Sequence, residues 1–332
     1  MRVARLRAAQ PRDAHRVTVK ALRDAANSVV VFGDWATHHA EAALLRALAK
    51  YVASATQSKF NELPVGANAV GLARAGALPK AGGRNAAALL ATPPKTLLAY
   101  HLGSQDTSSP AAYDAARSNA DFHVYIGAYA CNGVKRTAHA VLPIGLAPEI
   151  DGTYVNVDGS VQVVPAGSKL PGASRPGWKV LRALGAALGL PGFDFVDIAG
   201  VRAAMGDAPA KAAAVAGNGK FAAATKPTLA PGQFTRISTV PLYRTDAVVR
   251  RAQSLQAHPL TGHCAIGLHP EDALALGLAD GARAKVSGGN GDIELPVVIT
   301  RAVPRGGAWI EKTWSETRSL PGNGGALTVT RA

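Results

Sequence analysis

Residues Thr137–Gln162 read TAHAVLPIGLAPEIDGTYVNVDGSVQ, and this stretch decides the fold class. Ala138–Leu142 is a short apolar run stopped by Pro143, which has no N–H to continue a β-ladder. Gly152–Gly159 and Ser160–Val164 then alternate around Asp158-Gly159, the pattern of a β-hairpin. Upstream, Ser28–Phe32 (SVVVF), Thr96–Tyr100 (TLLAY) and Phe122–Ile126 (FHVYI) read as further buried strands. Helical patterns lie between them. Ala36–Val52 repeats Leu44, Leu45, Leu48 and Val52 on one face, and Pro110 opens a helix over Ala111–Asn119. Short apolar strands alternating with helices predict an α/β fold with a parallel sheet.

Downstream, Pro176 opens a helix over Gly177–Leu188, ended by Gly189 and Pro191. Residues 208–230 are rich in Ala, Gly and Lys with few large apolar groups, the composition of a linker. Beyond them, Thr235–Thr239, His263–Leu268, Ala282–Ser287, Ile293–Thr300 and Gly307–Glu311 read as short strands. Helices are expected near Asp246–Gln256 and Pro270–Leu276, with tight turns at Gly277, Asp280-Gly281 and Gly288–Gly291. The expected organisation is an α/β domain over 1–207, a linker over 208–230 and a β-rich, barrel-like domain over 231–332.

Composition narrows the function classes. Of 332 residues, 48% are hydrophobic, which excludes a disordered chain. The net charge of +14 is spread along the sequence, with its densest run at Arg2, Arg5, Arg7, Arg12, Arg16, Lys20 and Arg23. Aromatic residues make up only 5%, too few for a stacking surface on nucleic acid. The charge therefore reads as a solvated face or a surface for an acidic partner. The basic start shares its charge with a transit peptide but is poor in Ser. No apolar run approaches the ~18 residues of a membrane span.

Candidate chemistry is sparse. Cys131 and Cys264 are the only cysteines, so the chain cannot supply four thiolates to an iron–sulfur cluster. Gly217-Asn218-Gly219-Lys220 has the end of a phosphate loop, but Phe221 replaces the Ser or Thr that would hold magnesium. His258–His269 gathers three histidines around Cys264, at spacings that match no zinc pattern and suit turns. His38-His39 follows a strand end, where α/β sheets place ligands, and also suits a helix start. Cys131 has Lys135-Arg136 nearby, which would favour a thiolate, though a buried inert cysteine is commoner. No nucleophile elbow and no His-Glu-x-x-His pair is present, so no catalytic residue and no metal ligand is assigned.

The stretch Thr137–Pro143, then Glu149–Asn156 and Asp158–Gln162, resembles the molybdopterin oxidoreductase superfamily. Arg175–Leu181 is similar to the helix that follows there, and Ala265–Ala273 with Leu276–Gly281 to its C-terminal double-psi β-barrel. Val240–Asp246, with Arg250-Arg251 and Leu255-Gln256, is similar to the C-terminal half of the large iron–sulfur subunit of bacterial NADH:quinone oxidoreductase, respiratory complex I. His139 stands where the superfamily usually has Asp, and Ser160 where it has Arg, removing a bidentate phosphate donor.

The resemblance implies a partial molybdopterin oxidoreductase-like α/β domain followed by a mostly-β barrel. It implies a structural role in the peripheral arm of a machine passing electrons from NADH to quinone. The other peripheral-arm subunits would be the partners, on the cytoplasmic side of the inner membrane. No cofactor is expected in this chain, because the family carries its clusters on a cysteine-rich N-terminal region without counterpart here. The sequence thus reads as a fragment or split-gene product. Glu149, Asn156, Gly159 and Gln162 are the candidates for a relic pterin pocket. Two other readings stand beside this one: a piece of a true molybdopterin oxidoreductase of the formate dehydrogenase kind, and a non-catalytic basic binding module.

Overall fold

The computed structural model describes residues 10–206 and 229–332, apart from positions 40, 81, 231 and 290. The expected linker at 208–230 falls almost wholly outside the described residues, as do Gly217–Lys220. The chain forms two compact units, the first running to Gly66 and the second beginning at Ala67.

In the first unit, β1 (Val29–Phe32) and β2 (Lys59–Glu62) pair in parallel, Val29 opposite Lys59. The helix Ala42–Ala55 makes the crossover between them, as a parallel pair requires. Arg46 on this helix donates from Nε and Nη2 to both oxygens of Glu62, at 2.8 and 2.6 Å. Its guanidinium also lies 4.9 Å over the Phe32 ring. The single helix expected over Ala36–Val52 is instead two, Asp34–Thr37 and Ala42–Ala55. The break comes at His38-His39. His38 Nε2 pairs with Asp34 at 3.1 Å, and His39 Nδ1 accepts the Glu41 N–H at 3.0 Å.

The second unit begins with a parallel sheet of β3 (Thr96–Tyr100), β4 (Phe122–Gly127) and β5 (Ala140–Pro143), in the order β3-β4-β5. The helix Pro110–Asn119 crosses from β3 to β4 and buries Tyr113, Ala116 and Arg117. Ala99, Tyr113, Tyr125 and Val134 form the core beneath it. The hairpin follows as β6 (Gly152–Val155) and β7 (Val161–Val164), with Gly159 at φ +91° in the turn. Only glycine takes such a φ without strain. Asn68 pins the hairpin: its Nδ2 donates to the Thr153 carbonyl and its Oδ1 accepts from Val155 N, both at 3.0 Å.

The C-terminal part is a closed six-stranded barrel. Its strands are β8 (Gln233–Ile237), β9 (Ile266–Leu268), β10 (Arg283–Gly288), β11 (Gly291–Ile299), β12 (Gly307–Trp309) and β13 (Ala326–Arg331), in the order β10-β11-β9-β12-β8-β13. Strand alternation builds the interior: Ala284 and Val286 point in, while Arg283 and Lys285 point out. Ile266, Leu268, Ile310 and Leu327 are wholly excluded from solvent. Closure removes exposed strand edges, which suits a sheet of short strands. The α/β class with a β-rich barrel at the C-terminal end is therefore the observed fold. One barrel strand, β13, has no counterpart among the strands expected from sequence.

Candidate functional site

The clearest cavity lies in the second unit, at the C-terminal ends of β3 and β4, where parallel sheets present ligand sites. It measures about 350 Å³. Arg117 and Arg136 line it from the α/β side; Arg250, Arg251 and Arg318 line it from the barrel side. Asp106 is in the same lining, and Asp114 lies behind it on the helix Pro110–Asn119. Five guanidinium groups thus face two carboxylates, leaving three uncompensated positive charges.

Each arginine is held differently. Arg117 is 4% exposed; its Nη2 pairs with Asp114 at 2.7 Å, while Nε and Nη1 have no hydrogen-bond partner. Gly133 makes room for it, since a Cβ there would come within 2.3 Å of Arg117 Nη2. Arg250 donates to the Arg244 carbonyl at 3.2 Å and to Asp106, with Nε unpaired. Arg251 caps the Ala247 carbonyl at 2.8 Å and lies 4.2 Å over the Tyr129 ring. Arg136 is exposed. At the rim of the sheet, His101 adopts φ +54°, a strained conformation of the kind that gathers at functional sites.

Cys131 is exposed and lines this cavity, so it is not a buried inert cysteine. Cys264 differs: burial pushes its thiol up to about 12. Tyr113, beneath the cavity, is likewise pushed up to about 12 by burial, and its hydroxyl donates to the Leu102 carbonyl at 3.1 Å.

The sequence-derived pterin candidates lie elsewhere. Glu149 accepts the Leu146 N–H at 2.8 Å, capping a short 3₁₀ turn. The Asn156 carboxamide accepts the Val157 N–H at 2.8 Å. Gly159 forms the hairpin turn, and Gln162 sits on exposed β7. The hairpin brings Asn156, Gly159 and Gln162 together, and none of the four lines the arginine cavity. The two departures from the superfamily pattern also have structural outcomes. Ser160 donates from N and Oγ to Asp158, at 2.8 and 2.7 Å, closing the turn locally. His139 Nδ1 accepts the His123 N–H at 3.0 Å, joining β5 to β4.

The histidine cluster separates into local caps. His258 Nδ1 accepts from Leu260 N and His269 Nδ1 from Glu271 N, both at 3.2 Å. Among the described residues, no group of three or more His, Cys, Asp or Glu could hold a metal ion. No helix among them is long and apolar enough to cross a membrane. The donor set therefore does not fit an iron–sulfur cluster. The cavity supplies charge for phosphate, but its lining holds neither a metal-ligand set nor the hairpin residues expected against a pterin. At about 350 Å³ it is at the small end of ligand sites.

Nothing in the sequence singles out the cavity arginines as a site. They come from separate segments, and only their spacing in the fold makes them a group. Arg250-Arg251 and Lys135-Arg136 are the available signals.

Comparison with known proteins agrees with this architecture. The Molybdopterin oxidoreductase family matches residues 13–187, and the family described as "Molydopterin dinucleotide binding domain" matches residues 235–332. The chain is 32% identical over 189 residues to the mitochondrial NADH-ubiquinone oxidoreductase 78 kDa subunit of Neurospora crassa. That alignment covers 56% of this chain and 24% of the relative. The same subunit of Candida albicans is 37% identical over 86 residues, covering 26% of this chain and 12% of the relative. The chain thus spans a quarter or less of the length of these relatives. Among solved structures, acetylene hydratase from Pelobacter acetylenicus shares the fold at a TM-score of 0.50 and 14% identity, over 74% of this chain and 46% of that one. The chain belongs to the molybdopterin oxidoreductase family.

Proposed function

We propose that this member of the molybdopterin oxidoreductase family is a structural segment of the large iron–sulfur subunit of an NADH:quinone oxidoreductase of the complex I type. Its place is the peripheral arm on the cytoplasmic side, against other subunits of that arm. The assembly passes electrons from NADH to quinone; the clusters sit on a separate cysteine-rich region. No residue of this chain performs the chemistry. Glu149, Asn156, Gly159 and Gln162 serve the turn and the hairpin, and hold no pterin.

The observation that carries this reading is the 32% identity over 189 residues to a complex I 78 kDa subunit. The cysteine content agrees with it, because two thiols cannot build a cluster. The sheet and the barrel belong to one compact unit, which suits scaffolding, and the +14 charge suits an acidic partner surface.

A second reading has one observation in its favour. The arginine cavity at the strand ends would suit the phosphates of a pterin dinucleotide in a true molybdopterin oxidoreductase, with a partner chain completing the site. Elemental analysis of the purified protein separates the two. The structural reading expects iron and molybdenum far below one per chain. Stoichiometric molybdenum would overturn it in favour of the second.

A further inference from the structure

We propose that β7 is an interaction edge that pairs with β7 of a second copy of this chain, antiparallel and about a two-fold axis at Gln162. The inference goes beyond the structural role and does not rest on the assembly the chain joins.

Three observations carry it. First, the hairpin is a sheet of two strands, and one of its edges is open. The Asn156 N–H donates to the Ser160 carbonyl at 2.9 Å. Antiparallel pairs alternate, so Tyr154 with Gln162 and Gly152 with Val164 exchange backbone hydrogen bonds, while Val155 with Val161 and Thr153 with Val163 do not. The N–H and C=O groups of Val161 and Val163 therefore point away from β6, and no strand of the described residues takes them. Second, the fold treats the two edges differently. On β6, the Asn68 carboxamide takes both the Thr153 carbonyl and the Val155 N–H. On β7 all four residues are exposed, Val163 at 59%, and apolar side chains stand on both faces. An open apolar edge is the surface to which another strand adds. Third, β7 carries no charged residue, the usual guard of such an edge.

A second copy matches this edge. With Gln162 opposite Gln162, each Val161 exchanges two hydrogen bonds with Val163 of the other copy, and all the outward groups of both valines are satisfied. A register moved one pair along brings in Pro165, which has no N–H. Charge permits the approach. The nearest carboxylate in sequence, Asp158, sits four positions from the axis, so its two copies lie about 26 Å apart at about 3.3 Å per residue, beyond two Debye lengths. Association ends at two copies, because Asn68 occupies the outer edge of each β6. Four residues a side cover less than the ~1,200 Å² of a lasting interface, so the dimer is reversible and concentration-dependent.

The test is sedimentation velocity of the purified full chain from about 10 µM to about 1 mM, the range of weak interfaces. The expected result is a monomer–dimer equilibrium that strengthens as sodium chloride rises, because salt screens the repulsion of two +14 chains. Val163→Pro removes an outward N–H that β6 does not use, and is expected to weaken the dimer by at least about 10-fold, as for two lost hydrogen bonds. The register has its own readout. In a Cys131→Ser background, Gln162→Cys sets two thiols across the axis, where facing Cα atoms lie about 4.5 Å apart, within disulfide reach. Mild oxidation is expected to cross-link it. Val164→Cys, equally exposed but about 13 Å from its copy along the strand, is expected to stay uncross-linked. A monomer at every concentration would overturn the proposal. So would a dimer untouched by Val163→Pro, a dimer that weakens with salt, or equal cross-linking of the two cysteine variants, each of which places the contact elsewhere. None of these outcomes bears on metal content, so failure here is distinguishable from failure of the structural reading.

Discussion

Asp114 and Arg318 meet across 204 positions of sequence and tie the helix Pro110–Asn119 to the barrel side of the second unit. The same carboxylate receives Arg117 Nη2 at 2.7 Å and the hydroxyl of Ser104. Asp106 and Arg250 make a parallel link 144 positions apart. The α/β part and the barrel are therefore joined through charge as well as backbone, and the cavity lies between these two links.

Asp114→Asn should consequently be one of the more damaging polar substitutions. It leaves the guanidinium of Arg117 inside the protein without its counter-charge. Removing one partner of a buried pair costs about 3 kcal/mol. Arg318→Gln, at a side chain 42% exposed, should cost less than about 1 kcal/mol. Urea unfolding of the two variants checks the difference; equal losses would contradict the assignment of Arg117 as the group at stake.

The two thiols should separate cleanly. Cys131 is exposed, while burial holds the Cys264 thiol at about 12. At pH 8 a thiol-exchange reagent should titrate one thiol per native chain rapidly, and Cys131→Ser should remove that reaction. Two fast thiols in the folded protein would contradict the position of Cys264 against the barrel core.

Acid should weaken the fold through His123. Its ring is fully buried, with Nδ1 against Thr137 Oγ1 at 3.1 Å and Nε2 unpaired. Burial lowers its pKa below the usual 6.5. In the unfolded chain the ring binds a proton at ordinary pH values, and in the folded chain only at lower ones. The unfolded state thus takes up more protons, and stability should fall as pH drops below about 6.5. A His123→Gln variant should show a flatter stability profile between pH 7 and 5. An unchanged slope would remove His123 as the cause.

The barrel core should follow ordinary packing energetics. Leu327 is fully buried on β13, facing the cluster of Ile266, Val286 and Ile310. Leu327→Ala should destabilise the second unit by about 2–5 kcal/mol. A loss under 1 kcal/mol, measured by denaturant unfolding, would mean that β13 does not close the barrel.

Much of this fold is legible in the sequence, for specific reasons. β3, β4, β5 and the hairpin announce themselves through β-branched and aromatic runs bounded by Gly and Pro. β2, reading KFNE, has one apolar side chain and pairs only with β1, so periodicity gives no signal. The break at His38-His39 comes from side-chain caps that pattern alone does not reveal. Likewise, the helix expected over Asp246–Gln256 is divided into Val249–Arg251 and Gln253–Gln256, because Ala252 between them has an extended backbone, with φ −75° and ψ 101°. The cavity is the least legible part. Its arginines at 117, 136, 250, 251 and 318 acquire a shared role only when β3, β4 and the barrel are assembled.

The central claim, a structural place in a complex I-type assembly, is tested most directly by native electrophoresis of the tagged chain extracted from membranes of its own host. The account predicts that the tag comigrates with the band that oxidises NADH. A tag running only as the free chain, away from every NADH-oxidising band, would contradict it.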